Sequence, residues 1–125
     1  MSKQIPASEY EAVVATVNLF IEGMKKSDYS ILSKAFRDTA RVYAHIYGTW
    51  TEANKDLLNE MLKSYPKLPN FNHNLSVISM SPTVAVVRIE MDYEDTFNPY
   101  TDFMTVAKVE GKWQIVTKVS CEYER

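Results

Sequence analysis

One cysteine, three glycines and two histidines are all that the 125 residues hold of those types, and each scarcity removes a class of function. Cys121 has no second cysteine to pair with, so an internal disulfide is excluded. Gly23, Gly48 and Gly111 stand near the ends of the predicted elements, which leaves no glycine-rich loop to cradle a phosphate. No G-x-S-x-G or other nucleophile signature occurs. His45 and His73 are far apart, and neither an H-x-x-x-H nor a C-x-x-C spacing is present, so no metal and no cofactor is expected. Basic residues number 14 against 16 acidic ones, a net charge of −2, without the basic stripe of a nucleic-acid binder. No window approaches the roughly 18 apolar residues of a membrane span. The opening "MSKQIPASEYEA" lacks the apolar stretch of a signal sequence. The expectation is a cytoplasmic protein with no nucleic-acid or membrane partner.

What is present suits one globular domain over residues 1–125, with an ordered core at about 9–123. A chain of this length buries roughly two-thirds of its unfolded surface, enough for a core without staples. Apolar residues make up 46 % and charged residues 24 %, the balance of a soluble fold.

The first half reads as helical. Ser8 and Glu11 have capping-box spacing, and Val13, Val17, Phe20, Ile21 and Met24 follow at helical intervals, so a helix is predicted over 8–26. Gly23, Lys25 and Lys26 weaken and finish it. Asp28 caps a short helix over 29–37. Val42, Ala44 and Ile46 then alternate with Tyr43, His45 and Tyr47, which predicts a strand ending at Gly48. A third helix is predicted over 52–64, capped by Thr51 or Thr49 and stopped by Pro66 and Pro69. From there the period is two, with strands at about 71–80, 83–94, 99–110 and 113–123. Glu110-Gly111-Lys112 closes the last hairpin. The order α-α-β-α-β-β-β-β gives an α+β fold: three helices packed on a curved mixed or antiparallel sheet, a cone whose far end can stay hollow.

These residues resemble the nuclear transport factor 2-like (SnoaL-like) superfamily. Asp28-Tyr29, Leu32, Phe36, Asp38, Ala40 and Val42 fall where that superfamily has its second helix and the entry to the first strand. Asp102, Lys108, Gly111, Trp113 and Ile115 fall on its terminal hairpin. Within it the chain is most similar to the lumazine-binding branch, over about residues 9–123. The resemblance implies a cystatin-like cone with an apolar pocket, often dimeric through the sheet, with the terminal hairpin in mid-sheet and Trp113 pinning it to the core.

It also allows a test for catalysis. Ketosteroid isomerase, in the same superfamily, needs a tyrosine, a carboxylate base and a protonated aspartic acid. The matching places here hold Phe20, Ala44 and Thr101, the last beside Asp102. None fits, and the reading leans away from catalysis. An enzyme of SnoaL type, an isomerase, cyclase or dehydratase, would have to use His45 with Asp102. "EMDYED" puts Glu90, Asp92 and Glu94 on one strand face with Arg88, which reads as a solvated or interfacial surface. Cys121 reads as a small packed residue.

A binding cavity remains. Eight tyrosines, two tryptophans and six methionines are many for this length, and rings with polar edges suit a flat ligand. The expected pocket comprises Phe20, Met24, Tyr43, Ala44, Tyr47, Trp50, Met61, Tyr65, Phe103 and Trp113, with Asp102 as polar anchor. Its ligand would be small and hydrophobic or heteroaromatic. The sheet's convex face, carrying Arg88, Glu90 and Lys118, would form a homodimer or hold another protein.

Overall fold

The computed structural model describes residues 4–46, 48–64, 71–93 and 98–124. Helix α1 spans Ala7–Lys26, α2 spans Tyr29–Leu32 and runs into a 3-10 turn at Ser33–Ala35, and α3 spans Asp56–Ser64. The strands are β1 Phe36–Ile46, β2 Thr49–Asn54, β3 Asn72–Met80, β4 Val84–Asp92, β5 Tyr100–Val109 and β6 Lys112–Glu122. They form one sheet in the order β2-β1-β6-β5-β4-β3. Among the described residues, only the β1–β6 pair is parallel. The terminal hairpin therefore occupies the middle of the sheet, as the resemblance implied. Glu110 and Gly111 both have positive φ, 54° and 78°, the geometry of a two-residue turn that matches strand twist.

Three boundaries differ from the sequence reading: the starts of α1 and α3, and the end of the second helix, which gives way to β1 at Phe36. Ser8 does not cap α1, which begins one residue earlier; Pro6 precedes it, and its carbonyl accepts from Glu9 N at 3.0 Å. The helix ends at Lys26, as expected, and Ser27 after it adopts left-handed φ 51°. Ser27 N donates to the Met24 carbonyl and Asp28 N to the Gly23 carbonyl, the paired bonds of a Schellman cap. β2 was not foreseen. Residues 49–54 pair with β1, Ile46 opposite Thr49 and Arg41 opposite Asn54, so α3 starts at Asp56. Asn54 Oδ1 accepts from Asp56 N at 2.9 Å, the capping role expected of Thr49 or Thr51. Thr-Trp-Thr is β-favouring, and a neighbouring strand edge overrode the weak helical pattern.

The helices cover one face of the sheet. Val13, Val17, Phe20, Ile21 and Met24 of α1 are buried with Leu32, Phe36, Leu58 and Leu62. From the sheet, Ala85, Val87, Ile89, Met104, Val106 and Ile115 meet them. Phe20 packs edge-on to Phe36 with centroids 6.0 Å apart.

Trp113 ties α1 to the hairpin. Its ring is buried and its Nε1 donates to Glu9 Oε2 at 2.6 Å, while Lys108 Nζ donates to Glu9 Oε1 at 2.7 Å. The bond from Lys108, then that from Trp113, hold the Glu9 carboxyl below its usual 4.5. A carboxylate held low contributes stability above its unfolded value and loses that contribution as pH falls through the folded one. Glu9→Gln should thus lower the melting temperature at pH 7, and the gap to wild type should close as pH drops below about 4. Thermal melts from pH 7 to pH 3 check this; parallel curves would contradict it.

Candidate functional site

Strict alternation in β5 turns Tyr100, Asp102, Met104 and Val106 toward the helices and leaves Phe103 outside. β6 does not alternate strictly. Thr105 pairs with Thr117 but Val106 with Ile115, so Val116 has no partner on β5. This bulge reverses the facing of the rest of the strand. Trp113 and Ile115 point in before it, and Lys118 and Ser120 point in after it. Lys118, expected on the convex face, is only 5 % exposed, and the bulge is the physical reason.

Cross-strand register then assembles three polar groups. Asp102 lies opposite Ser120, with Lys118 one step along the same face opposite Met104. On the other side Val42 and Ala44 of β1 pair with Lys118 and Ser120. Lys118 Nζ donates to Ser120 Oγ at 2.6 Å and stands 3.4 Å from Asp102 Oδ2. It also sits 5.7 Å from the Phe20 ring centroid, within cation–π range. The ion pair is longer than the roughly 2.7–2.9 Å of a good charged hydrogen bond. Neither Asp102 oxygen accepts a hydrogen bond from any described residue, although Asp102 is 1 % exposed.

The trio forms the polar wall of a hollow of about 30 Å³. Phe20, Met24, Val42, Ala44, Ile46, Leu58, Met61 and Met91 supply its apolar lining, with Tyr93 and Tyr100 at one side. The Tyr100 hydroxyl donates to Glu122 Oε2 at 2.6 Å, and the Tyr93 and Tyr100 rings meet edge to face, centroids 6.3 Å apart. The hollow holds about one water, so a larger occupant requires the lining to repack. Met24, Met61 and Met91, each with three rotatable bonds, can do so.

Five residues expected at the pocket line this hollow: Phe20, Met24, Ala44, Met61 and Asp102. Tyr43, Trp50 and Phe103 do not. They lie on the opposite face, because the parity that brings Ala44 and Asp102 inward turns their odd-side neighbours out. There Trp50 stacks on Tyr43 with centroids 6.1 Å apart and meets the His45 ring at a tilt, 4.9 Å away. Trp113 is buried but stays at the hairpin end with Glu9. Tyr47 and Tyr65 fall outside the described residues, as does Glu94. The pairing of His45 with Asp102 is overturned, since the sheet separates them. Asp102, expected as a lone polar anchor, instead meets Lys118 in the wall of the hollow. Cys121 is exposed rather than packed, and Arg88 pairs with Glu90 at 3.1 Å on the outer face.

Sequence reasoning missed Lys118, Ser120, Met91, Tyr93 and Tyr100. The alternation of β4 and β5 could have found Met91 and Tyr100. Nothing in "WQIVTKVS" announces which residue is the bulge.

Chemically the wall offers one amine, one carboxylate and one hydroxyl inside an apolar surround. A buried ion pair returns little stability, because desolvating two charges offsets their attraction. The arrangement suits a substrate carbonyl, whose oxygen can accept from the ammonium or hydroxyl while the carboxylate takes a proton.

Residues 8–120 match a protein family described as "Putative lumazine-binding". The chain is 34 % identical over 125 residues to "Aldolase FrzH" of Cladobotryum sp, covering 100 % of both chains. Among solved structures, it is similar to an NTF2-like protein of unknown function from Shewanella baltica. That pair shares 27 % identity and a TM-score of 0.88, over 98 % of this chain and 99 % of the other. A protein with a cystatin-like fold from Nostoc punctiforme is 16 % identical with a TM-score of 0.71, over 96 % and 95 % of the two chains, a likeness of fold alone.

Proposed function

Since this chain belongs to the lumazine-binding family of nuclear transport factor 2-like proteins, we propose that its hollow binds a small, largely apolar carbonyl compound and promotes an aldol-type reaction on it. The observation that carries this reading is the buried trio of Asp102, Lys118 and Ser120 in an otherwise apolar wall. Making or breaking a carbon–carbon bond next to a carbonyl needs a base for a proton and a partner for the electrons gathered on oxygen or its replacement. Asp102 suits the first task, and Lys118 with Ser120 the second. The full-length relative named an aldolase supports the same reaction class.

The test uses 4-hydroxy-4-methylpentan-2-one, a small hydroxyketone whose entry requires the methionines to repack. Purified protein should accelerate its cleavage to two molecules of acetone, followed by NMR, and Asp102→Asn should abolish the acceleration. No acceleration over buffer across a panel of such hydroxyketones would remove the catalytic reading. Ligand-induced thermal shifts would then decide whether simple binding survives.

The outer face of the sheet is proposed as a homodimer contact. Tyr43, Val119 and Phe103 are register neighbours in one row across three strands. Phe103 is 45 % and Val119 38 % exposed at the middle of the sheet, where a lone chain gains nothing from apolar side chains. Phe103→Glu should convert dimer to monomer by light scattering, with the interior trio undisturbed. A wild-type monomer at every concentration would dispose of the contact.

A further inference from the structure

Resting on the aldol-type reading above, we propose that Lys118 is the nucleophile of this site: its amine condenses with a substrate ketone to form an imine in the wall of the hollow. Among the described residues, Lys118 Nζ is the one amine in the lining. The nitrogen is held rather than free to sweep, donating to Ser120 Oγ at 2.6 Å and facing Phe20. Its side chain is 6 % exposed, so a substrate that reaches it has left water behind. An imine carbon there would sit among apolar side chains, where hydrolysis by bulk water is suppressed.

The proton traffic has a place to go. Asp102 Oδ2 stands 3.4 Å from Nζ, and both carboxylate oxygens have open acceptor positions among the described residues. One ammonium proton passes to Asp102. The neutral amine adds to the carbonyl carbon, forming the N–C bond while the C=O π pair moves to oxygen. That oxygen takes a proton from Asp102, the adduct nitrogen then gives one of its two protons to Asp102, and this second proton passes to the hydroxyl, which leaves as water. The nitrogen lone pair so freed forms C=N, the nitrogen keeping its remaining proton. Asp102, again a carboxylate, removes the α-proton to give an enamine, whose carbon attacks a second carbonyl, and the oxygen of that carbonyl takes the proton from Asp102. Water then adds back and releases Lys118, so the water lost on condensation is returned and no redox partner is needed. Lysine amines freed of their proton in an apolar pocket are established covalent catalysts for carbonyl substrates.

The arrangement explains why an ion pair of poor hydrogen-bonding geometry stands in this wall. A pair built for stability would close to a short contact. This one leaves the carboxylate oxygens unused, as a relay requires.

Pentane-2,4-dione tests the inference, because it condenses with a reactive lysine to a stable enaminone without added reductant. The wild-type protein should gain one equivalent, seen as the mass of the diketone less one water and as a new near-ultraviolet band. Peptide mapping should place it on Lys118, ahead of the exposed lysines. Lys118→Arg, which retains the charge opposite Asp102, should lose both the adduct and the cleavage of 4-hydroxy-4-methylpentan-2-one. Modification confined to exposed lysines, or turnover that survives in Lys118→Arg, overturns the imine. Turnover in wild type without an adduct on Lys118 keeps the aldol reading and overturns the nucleophile. An adduct without turnover upholds the nucleophile and removes the aldol reading. Neither result overturns both. If Lys118→Arg fails to fold, the map of wild-type lysines decides alone.

Discussion

Asp102→Ala should destabilise the fold by about 3–5 kcal/mol, because it strands the Lys118 ammonium in an apolar wall. Among the described residues, Lys118 would keep only the neutral Ser120 hydroxyl and the Phe20 ring as partners. Neither carries the opposite charge. The effect comes from the unpaired group rather than from the strength of the pair, and a second variant separates the two. Removing both charges in Asp102→Leu with Lys118→Met should cost about 1 kcal/mol or less, since an apolar pair of similar volume fits the lining. Urea denaturation of wild type, each single variant and the double variant gives the coupling directly. Additive single effects would mean that the two groups do not depend on each other, and that the site has been misassembled. A double variant that folds well while losing all turnover would show that the pair is retained for chemistry.

The other large effect is expected at Gly23. In the body of a helix, alanine normally gains roughly 0.5–1 kcal/mol over glycine. Here the sign should reverse. A Cβ on residue 23 would lie 2.5 Å from Leu32 Cβ and 2.7 Å from its Cα and N. Two of those three atoms are backbone, so no rotamer change relieves the clash. Leu32 itself is fully buried, and the Gly23 carbonyl anchors the cap at Asp28 N, 2.9 Å away. Gly23→Ala must therefore push α2 off α1, with a loss of about 1–3 kcal/mol and a fall in melting temperature of several degrees. A neutral or stabilised Gly23→Ala variant would mean that the helices do not approach this closely. Read from the sequence, Gly23 marked a weakening helix. In the fold it is the point of contact between two of them.

The same contrast runs through the molecule. Helix α1, the Asp28 cap, the four carboxy-terminal strands and the closing hairpin were legible because each rests on short-range patterns. Apolar residues every three or four positions, a carboxylate at a helix start and a turn built on glycine act within a few residues of one another. Strand β2 was not legible. Residues 49–54 have a pattern weak enough to serve as helix or strand, and the free edge of β1 decided between them.

The candidate site divides along the same line. Asp102 stood out as a carboxylate interrupting an apolar strand, and Phe20, Met24, Ala44 and Met61 belong to stripes that had to face inward. Lys118 did not stand out, because its neighbours alternate and parity alone put it outside. Tyr43, Trp50 and Phe103 were drawn inward by their chemistry as ligand-stacking rings. Their parity sent them out.

The amino-acid order alone determined the family, the helix-then-strand plan, the apolar stripes and the position of Asp102. All of these follow from periodicity and from residues whose backbone preferences act locally. Tertiary structure decided what Asp102 faces. One unpartnered residue, Val116, shifts β6 by half a pleat and rotates Lys118 and Ser120 into the hollow. A bulge is settled by the hydrogen bonds of two strands to each other, information that no single strand contains.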